Sequence, residues 1–115
     1  MNRVRLLLAL VWAAAIYLAS AQPGGQVGLS SPWDKFAHAA AFGVLAWLLR
    51  TGGLPLAASL GLTALYALSD ELHQLFVPGR QADLLDWLAD VAGAMIALGA
   101  MGLEKGAARA QTNHK

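Results

Sequence analysis

Long apolar stretches, separated by Pro, Gly and charged residues, dominate this chain. The first, residues 4–21, carries basic residues at its start and stops at the breaker run QPGG. Three more cover residues 36–49, 54 to about 76, and about 83–103. All are rich in Ala and Leu and longer than ordinary strands, which favours helix. The pattern therefore predicts an all-α protein with four helices.

Turn and capping signals lie between these stretches. Ser31 can cap the second helix, and Pro55 is tolerated in the first turn of the third. The runs TGG (51–53) and VPGR (77–80) have turn composition. We expect one domain over residues 1–105 and a polar, disordered tail over residues 106–115.

Composition points to a membrane protein. Hydrophobic residues make up 57% of the chain and charged residues only 13%, against about 25% in ordinary soluble domains. The net charge of +1 and the scattered basic residues argue against a nucleic-acid partner. Without cysteine, the chain has neither disulfides nor thiolate metal ligands. We expect a small polytopic membrane protein, with the lipid bilayer as its main partner.

The basic residues predict an orientation. A cytoplasmic N-terminus and four transmembrane helices place six of the eight basic residues inside, at positions 3, 5, 50, 105, 109 and 115. Only Lys35 and Arg80 then lie outside, together with every acidic residue except Glu104. This bias predicts a four-transmembrane-helix bundle with both termini cytoplasmic.

The first stretch also fits a secretory signal. It has a basic start, an apolar centre and the small-residue run ASA (19–21) before Gln22. Cleavage there would leave three spans and would hardly move the other helices. Both interpretations keep the same outward-facing site.

Ionisable residues recur at one predicted depth. Because a helix needs roughly 20 residues to span a bilayer, the short apolar run 91–103 places Asp90 below the outer interface. Asp70 and Glu71 follow a similarly short run on the third helix, and His38 lies at a comparable depth on the second. Charged groups at such depth normally face a bundle interior or a wet cavity. We therefore expect a shared polar site near the outer surface.

Helical spacing predicts which way these groups face. Asp86 and Asp90 lie on a stripe that continues inward through Gly93 and Ala97, small residues that permit close helix packing. The same stripe also fits contact with a second copy of the chain, so a homo-oligomer is a further expectation.

The polar motifs resemble those of the VanZ-like membrane proteins of bacteria. They are D-K-x-x-H (34–38), S-D-E-x-x-Q-x-F-x-P-x-R (69–80) and D-x-x-x-D-x-x-G (86–93), and the resemblance covers roughly residues 5–103. One departure is Asp90, where the family pattern usually carries Asn. The founding member is associated with low-level resistance to the glycopeptide teicoplanin, and no biochemical activity is established for the family.

Depth, spacing and the resemblance select one outer polar cluster as a candidate binding site. Its residues are Asp34, Lys35, His38, Asp70, Glu71, Gln74, Arg80, Asp86 and Asp90.

Three functions fit this cluster. It can bind a polar envelope ligand, such as a lipid headgroup, a cell-wall precursor or a glycopeptide, through Arg80 and Lys35 and the hydrogen-bonding groups beside them. Alternatively, Glu71 or Asp86 with His38 or His73 can act as acid and base on a lipid-linked substrate.

The third interpretation is a structural network in which Arg80 and Lys35 neutralise the acids and the helix register is fixed. We predict no cofactor and no metal, since H-E-x-x-H is absent and the histidines fall on different helices.

Overall fold

Four helices and no strand make up the described part of the chain. The computed structural model describes residues 1–20, 33–76 and 84–112. The helices are α1 (Arg3–Ser20), α2 (Trp33–Thr51), α3 (Leu56–Gln74) and α4 (Leu84–Thr112). The predicted all-α class is confirmed, and each helix covers one of the four apolar stretches. The proposed cap Ser31 lies outside the described residues.

Glycine ends α2 where the sequence predicts a turn. The N–H of Leu54 donates to the carbonyl of Leu49, and the N–H of Gly53 donates to that of Arg50. These two bonds close a Schellman motif, which requires a left-handed residue. Gly53 supplies it with a φ of 117°. The chain then reverses directly, and Pro55 is the N-cap of α3.

Neighbouring helices alternate in direction. The N–H of Asn2, just before α1, donates to the carbonyl of Gly52 just after α2, so α1 begins where α2 ends. Tyr17 near the end of α1 stacks on His73 near the end of α3, so these two helices run parallel. Lys35 and His38 contact Asp86 and Asp90 in the same order, so α2 and α4 also run parallel. The bundle is therefore up-down-up-down.

This topology separates charge along the bundle. Asp70, Glu71, Asp86 and Asp90, the acidic residues whose side chains are described, lie where α2 and α4 begin and α3 ends, which we call the polar end. Arg3, Arg5 and Arg50 lie at the opposite, basic end. The predicted segregation of acidic from basic residues is thus present in the described part of the fold.

Helix α1 packs against α2 and α3 through both apolar and polar contacts. Ala9 and Ile16 are buried in the core cluster with Phe42. The indole N–H of Trp12 donates to the carbonyl of Ala41 at 2.8 Å. The hydroxyl of Tyr66 donates to the carbonyl of Ala13. Backbone carbonyls in helices thus accept bonds from aromatic side chains of a neighbouring helix.

Helices α2 and α4 cross at backbone contact. A β-carbon built on Gly93 would lie 2.0 Å from the carbonyl oxygen of Ala39, and one on Gly43 would lie 3.0 Å from the carbonyl oxygen of Gly93. Only glycine at position 93 fits so close an approach. The small-residue stripe of α4 is therefore used within the bundle, as the spacing predicts.

Large apolar side chains cover the outside of the bundle. Leu7, Phe36, Leu65 and Ile96, one from each helix, are all more than half exposed. Among the described residues, the segment Leu84–Gly102 is the one helix whose length and apolar composition suffice to span a bilayer. An apolar exterior around buried polar residues is the arrangement expected in lipid.

Helix α4 extends beyond the last apolar stretch. It continues to Thr112, past residue 103 where that stretch ends. Residues 106–112 contain three Ala, one Arg and one Gln, which are strong helix formers even where no core is available. Residues 113–115 lie outside the described part, and the disordered tail and the domain boundary at residue 105 stay predictions.

Candidate functional site

The polar end of the bundle holds a cluster of buried ionisable and amide side chains. Most of them are no more than 6% exposed, and Asp90 is fully buried. We call the following residues the polar cluster: Lys35 and His38 from α2, Asp70, Glu71 and Gln74 from α3, and Asp86 and Asp90 from α4. The three predicted helices thus contribute to one site.

The first link across the cluster joins Lys35 to Asp86. The Nζ atom of Lys35 lies 2.6 Å from Oδ1 of Asp86, which is a short charge-assisted hydrogen bond. The lysine side chain is 23% exposed and the aspartate side chain 6% exposed. Side chains of a helix lean toward its N-terminus, and α2 begins at the polar end. The ammonium group therefore lies at the outer edge of the cluster.

The second link joins His38 to Asp90 one helical turn deeper. The Nδ1 atom of His38 lies 2.9 Å from Oδ1 of Asp90. The other carboxylate oxygen of Asp90 is buried and has no hydrogen-bond partner among the described residues. A carboxylate bonded to Nδ1 fixes the imidazole orientation and directs Nε2 away from the pair. Two side-chain contacts, about one helical turn apart, therefore connect α2 to α4.

Helix α3 supplies the remaining members of the cluster. Asp70, Glu71 and Gln74 lie on its buried face, with Gln74 only 1% exposed. Asp70 is close enough to interact electrostatically with both His38 and Asp90. The amide Nε2 of Gln74 is buried without a hydrogen-bond partner among the described residues. A buried donor of this kind is costly to leave unpaired, so it is suited to a ligand or water.

Aromatic rings lie beneath the cluster. The rings of His38 and Phe42 are nearly parallel, with centroids 6.5 Å apart, and Tyr66 lies 6.1 Å from Phe42 on the other side. Phe42 is 1% exposed. This apolar layer ends the ionisable part of the site, so its charged groups are confined to the polar end.

Two predicted members are not placed. Arg80 lies outside the described residues, and so does the side chain of Asp34, whose backbone belongs to the first turn of α2. Arg80 as a counter-ion of the acids therefore stays a prediction. His73, considered as a proton partner, stacks on Tyr17 of α1 with ring centroids 4.4 Å apart.

Sequence reasoning missed one buried polar residue, Ser59. It is fully buried, and its hydroxyl has no hydrogen-bond partner among the described residues. It lies one turn before Thr63, whose hydroxyl donates to the Ser59 carbonyl at 2.7 Å. Ser59 lies four residues before Thr63 and therefore on the same face of α3, which is the signal that could have identified it. Polar character therefore continues along α3 into the basic half of the bundle.

The donor set suits hydrogen bonding and ion pairing. Within the described part of the chain, no group of three or more His, Asp or Glu side chains is placed to hold a metal ion. The cluster instead offers an ammonium, an imidazole, a carboxamide and carboxylates. Such a set can accept hydrogen bonds from hydroxyl or amide groups and donate them to phosphate or carbonyl oxygens.

Comparison with known proteins places the chain in a family. Residues 4–103 match the family VanZ/LLP1. The matched range covers all four apolar stretches and every candidate site residue. No curated protein and no solved structure matches the chain. The expected resemblance is confirmed, and the chain belongs to the VanZ/LLP1 family.

Proposed function

We propose that the polar cluster binds the polar part of an envelope ligand, such as a lipid headgroup, a cell-wall precursor or a glycopeptide. The observation that carries this proposal is the burial of Gln74 beside Asp70 and Glu71 on the same face of α3, with no hydrogen-bond partner for its amide donor among the described residues. A purely structural network tends to satisfy its buried donors. An unpaired donor within a buried ionic cluster suits a polar group that comes from outside.

The chemistry of the cluster defines what it can recognise. Lys35 at the outer edge can contact a phosphate or carboxylate oxygen, and Gln74 can donate to a carbonyl, hydroxyl or phosphate oxygen. The carboxylates of Glu71 and Asp86 accept hydrogen bonds from hydroxyl, amide or amine groups. A ligand that carries both kinds of group, as glycosylated and peptide-bearing envelope molecules do, uses the whole site. Glycopeptide susceptibility is the phenotype to examine first.

We place the site near the outer surface of the bacterial cytoplasmic membrane. Four spans with both termini inside put the polar end outside and the basic end inside, as the positive-inside rule requires. The apolar exterior of all four helices supports this placement. A ligand of the outer leaflet or the cell wall would then reach the cluster without crossing the membrane.

Conservative variants test this function. Glu71→Gln and Asp86→Asn keep the size and hydrogen-bonding capacity of each side chain and remove its charge. We expect both proteins to insert and to keep their melting temperature in detergent within a few degrees, yet to lose the envelope or drug phenotype that the wild type confers. Leu72→Met, on the exposed face of α3, is the matched control. Aggregation of both charge variants would instead favour the structural interpretation.

A specific contact also favours acid and base chemistry. Asp90 holds His38 through Nδ1, which is the arrangement that prepares Nε2 of a histidine as a general base. Under this second candidate function, Nε2 would take a proton from a hydroxyl of a lipid-linked substrate. The distinguishing measurement is the envelope lipid profile after overexpression of wild type and of His38→Gln. A changed profile that requires His38 supports catalysis, and identical profiles contradict it.

A further inference from the structure

An apolar groove of about 530 Å³ follows the outer side of the contact between α2 and α4. Its volume falls within the range of about 300 to 1,000 Å³ that small-molecule sites occupy. Its lining residues come from these two helices alone: Ala39, Ala40, Gly43, Val44 and Trp47 of α2, and Gly93, Ile96, Ala97, Ala100 and Met101 of α4. Ala40, Ile96 and Ala100 are exposed, so the groove opens outward.

Small residues form the groove where the two helices approach most closely. Gly43 and Gly93 bring the backbones into contact, which leaves space that larger side chains would fill. Trp47 and Met101 line the end nearest the basic end of the bundle. Trp47 is held there by the guanidinium of Arg5, which lies 5.2 Å from its ring centre.

The groove and the polar cluster are consecutive sections of the same helix pair. The lining extends over nine residues of each helix, from 39 to 47 and from 93 to 101, and the rise from the first to the last is about 12 Å. Half of a hydrocarbon core is about 15 Å thick. Lys35 lies one turn before Ala39, so an ammonium stands at the end where the groove meets the membrane surface. The ammonium of Lys35 therefore lies above an apolar groove whose length is about the depth of one leaflet.

We propose that this groove holds a hydrocarbon chain of a lipid-linked ligand whose head group places its phosphate at Lys35 and its hydroxyl groups at the carboxylates of the polar cluster. The inference rests on the proposed function and narrows its ligand class to amphiphiles of the outer leaflet. A second copy of the chain fits less well, since stable protein interfaces use about 20–30 residues a side and ten residues line this groove. The glycines of the small-residue stripe are, moreover, already engaged in the α2–α4 crossing.

The experiment uses phosphatidylglycerol that carries a diazirine in one acyl chain, in vesicles containing the full-length protein. Irradiation and peptide mapping then locate the chain. We expect cross-links concentrated on residues 39–47 and 93–101, above the level on the exposed faces of α1 and α3. Uniform labelling of all apolar faces would contradict the proposal that the acyl chain lies in the groove.

Variants make this measurement specific. Ala40→Leu with Ala100→Leu fills the groove from both sides without touching the polar cluster. Ala57→Leu with Ala92→Leu makes the same change at exposed positions that do not line it. We expect the first pair to reduce groove cross-linking about tenfold, the effect of 1.4 kcal/mol of lost binding, and the second pair to leave it unchanged. Equal labelling of both pairs, or a protein–protein cross-link through the groove, overturns the proposal.

A parallel measurement separates failure of the groove from failure of the head-group site. Native mass spectrometry of the same vesicles reports how much phosphatidylglycerol each variant retains. Loss of lipid in Glu71→Gln but not in the groove-filled variant leaves the head-group site standing and overturns the groove. If only the groove-filled variant loses lipid, the polar cluster does not recognise the head group. That result overturns the proposed link between the groove and the cluster. Loss in both variants supports the two proposals together.

Discussion

The imidazole Nδ1 of His38 lies 2.9 Å from the carboxylate of Asp90. This contact joins α2 to α4, although the two residues are 52 positions apart in the sequence. It occurs next to the backbone contact between Ala39 and Gly93. The hydrogen bond between His38 and Asp90 and the close crossing of α2 and α4 therefore lie at the same level of the bundle. Because glycine brings the helices together, short side chains such as Asp can reach across. The chemistry of the site depends on the packing beneath it.

The first prediction concerns Asp90, whose carboxylate contacts His38. Asp90→Asn keeps an oxygen that can accept a hydrogen bond from His38, so the melting temperature in detergent should stay within a few degrees. Asp90→Leu leaves the imidazole buried without its partner and should cost about 1–3 kcal/mol of unfolding free energy. Thermal unfolding of the two variants checks this. Equal destabilisation by Asn and Leu would show that the charge, rather than the hydrogen bond, stabilises the pair.

The second prediction is energetic coupling between Lys35 and Asp86. We expect a double-mutant cycle with Lys35→Met and Asp86→Leu to give a coupling energy of at least about 1 kcal/mol, because removing one partner leaves the other charge partly buried. The measurement is denaturant or thermal unfolding of the two single variants and the double variant. Strictly additive losses would mean that the 2.6 Å contact contributes nothing to stability.

The third prediction compares two glycines of α4. A β-carbon at position 93 would collide with the carbonyl of Ala39, whereas one at position 99 would meet no atom within 4 Å. Gly93→Ala should therefore destabilise the bundle by about 1–3 kcal/mol through forced separation of α2 and α4. Gly99→Ala should be neutral or stabilising by up to about 1 kcal/mol, since alanine favours helix. Equal stability of the two variants would contradict the close crossing.

The fourth prediction concerns orientation in the membrane. The chain has no cysteine, so single cysteines can be labelled without background. In intact cells a membrane-impermeant maleimide should label Gly79→Cys, between α3 and α4, and should reach Leu54→Cys, between α2 and α3, only after permeabilisation. The reverse pattern would place the polar cluster at the cytoplasmic side and exclude an extracellular ligand.

Much of the fold could be predicted because its rules are local. Apolar stretches bounded by Pro and Gly gave all four helices, and the spacing of Asp86 and Asp90 with Gly93 gave the buried face of α4. The burial of His38, Asp70 and Glu71 followed from their expected depth in a bilayer. Helix α4 extends past its apolar stretch to Thr112, because helix propensity does not require an apolar face.

Partner choice could not be predicted, since it depends on how helices are rotated against one another. Glu71 and Asp86 were the expected acids for His38, yet Asp90 holds it. Lys35 was expected to neutralise the acids, and the structure identifies Asp86 as the acid it contacts. The groove depends on the same packing and has no signal in the sequence beyond small residues on two helices. Long-range contacts of this kind require coordinates.

The most direct test of the account measures whether the polar face of α3 is sheltered from lipid. A lipid-soluble diazirine is photolysed in membranes containing the folded wild-type protein, and the sites of carbene insertion are mapped residue by residue. We predict insertion at the exposed Leu68 and Leu72, and insertion at the buried Asp70 and Gln74 only after denaturation. Equal insertion at all four positions would show that no enclosed polar cluster exists.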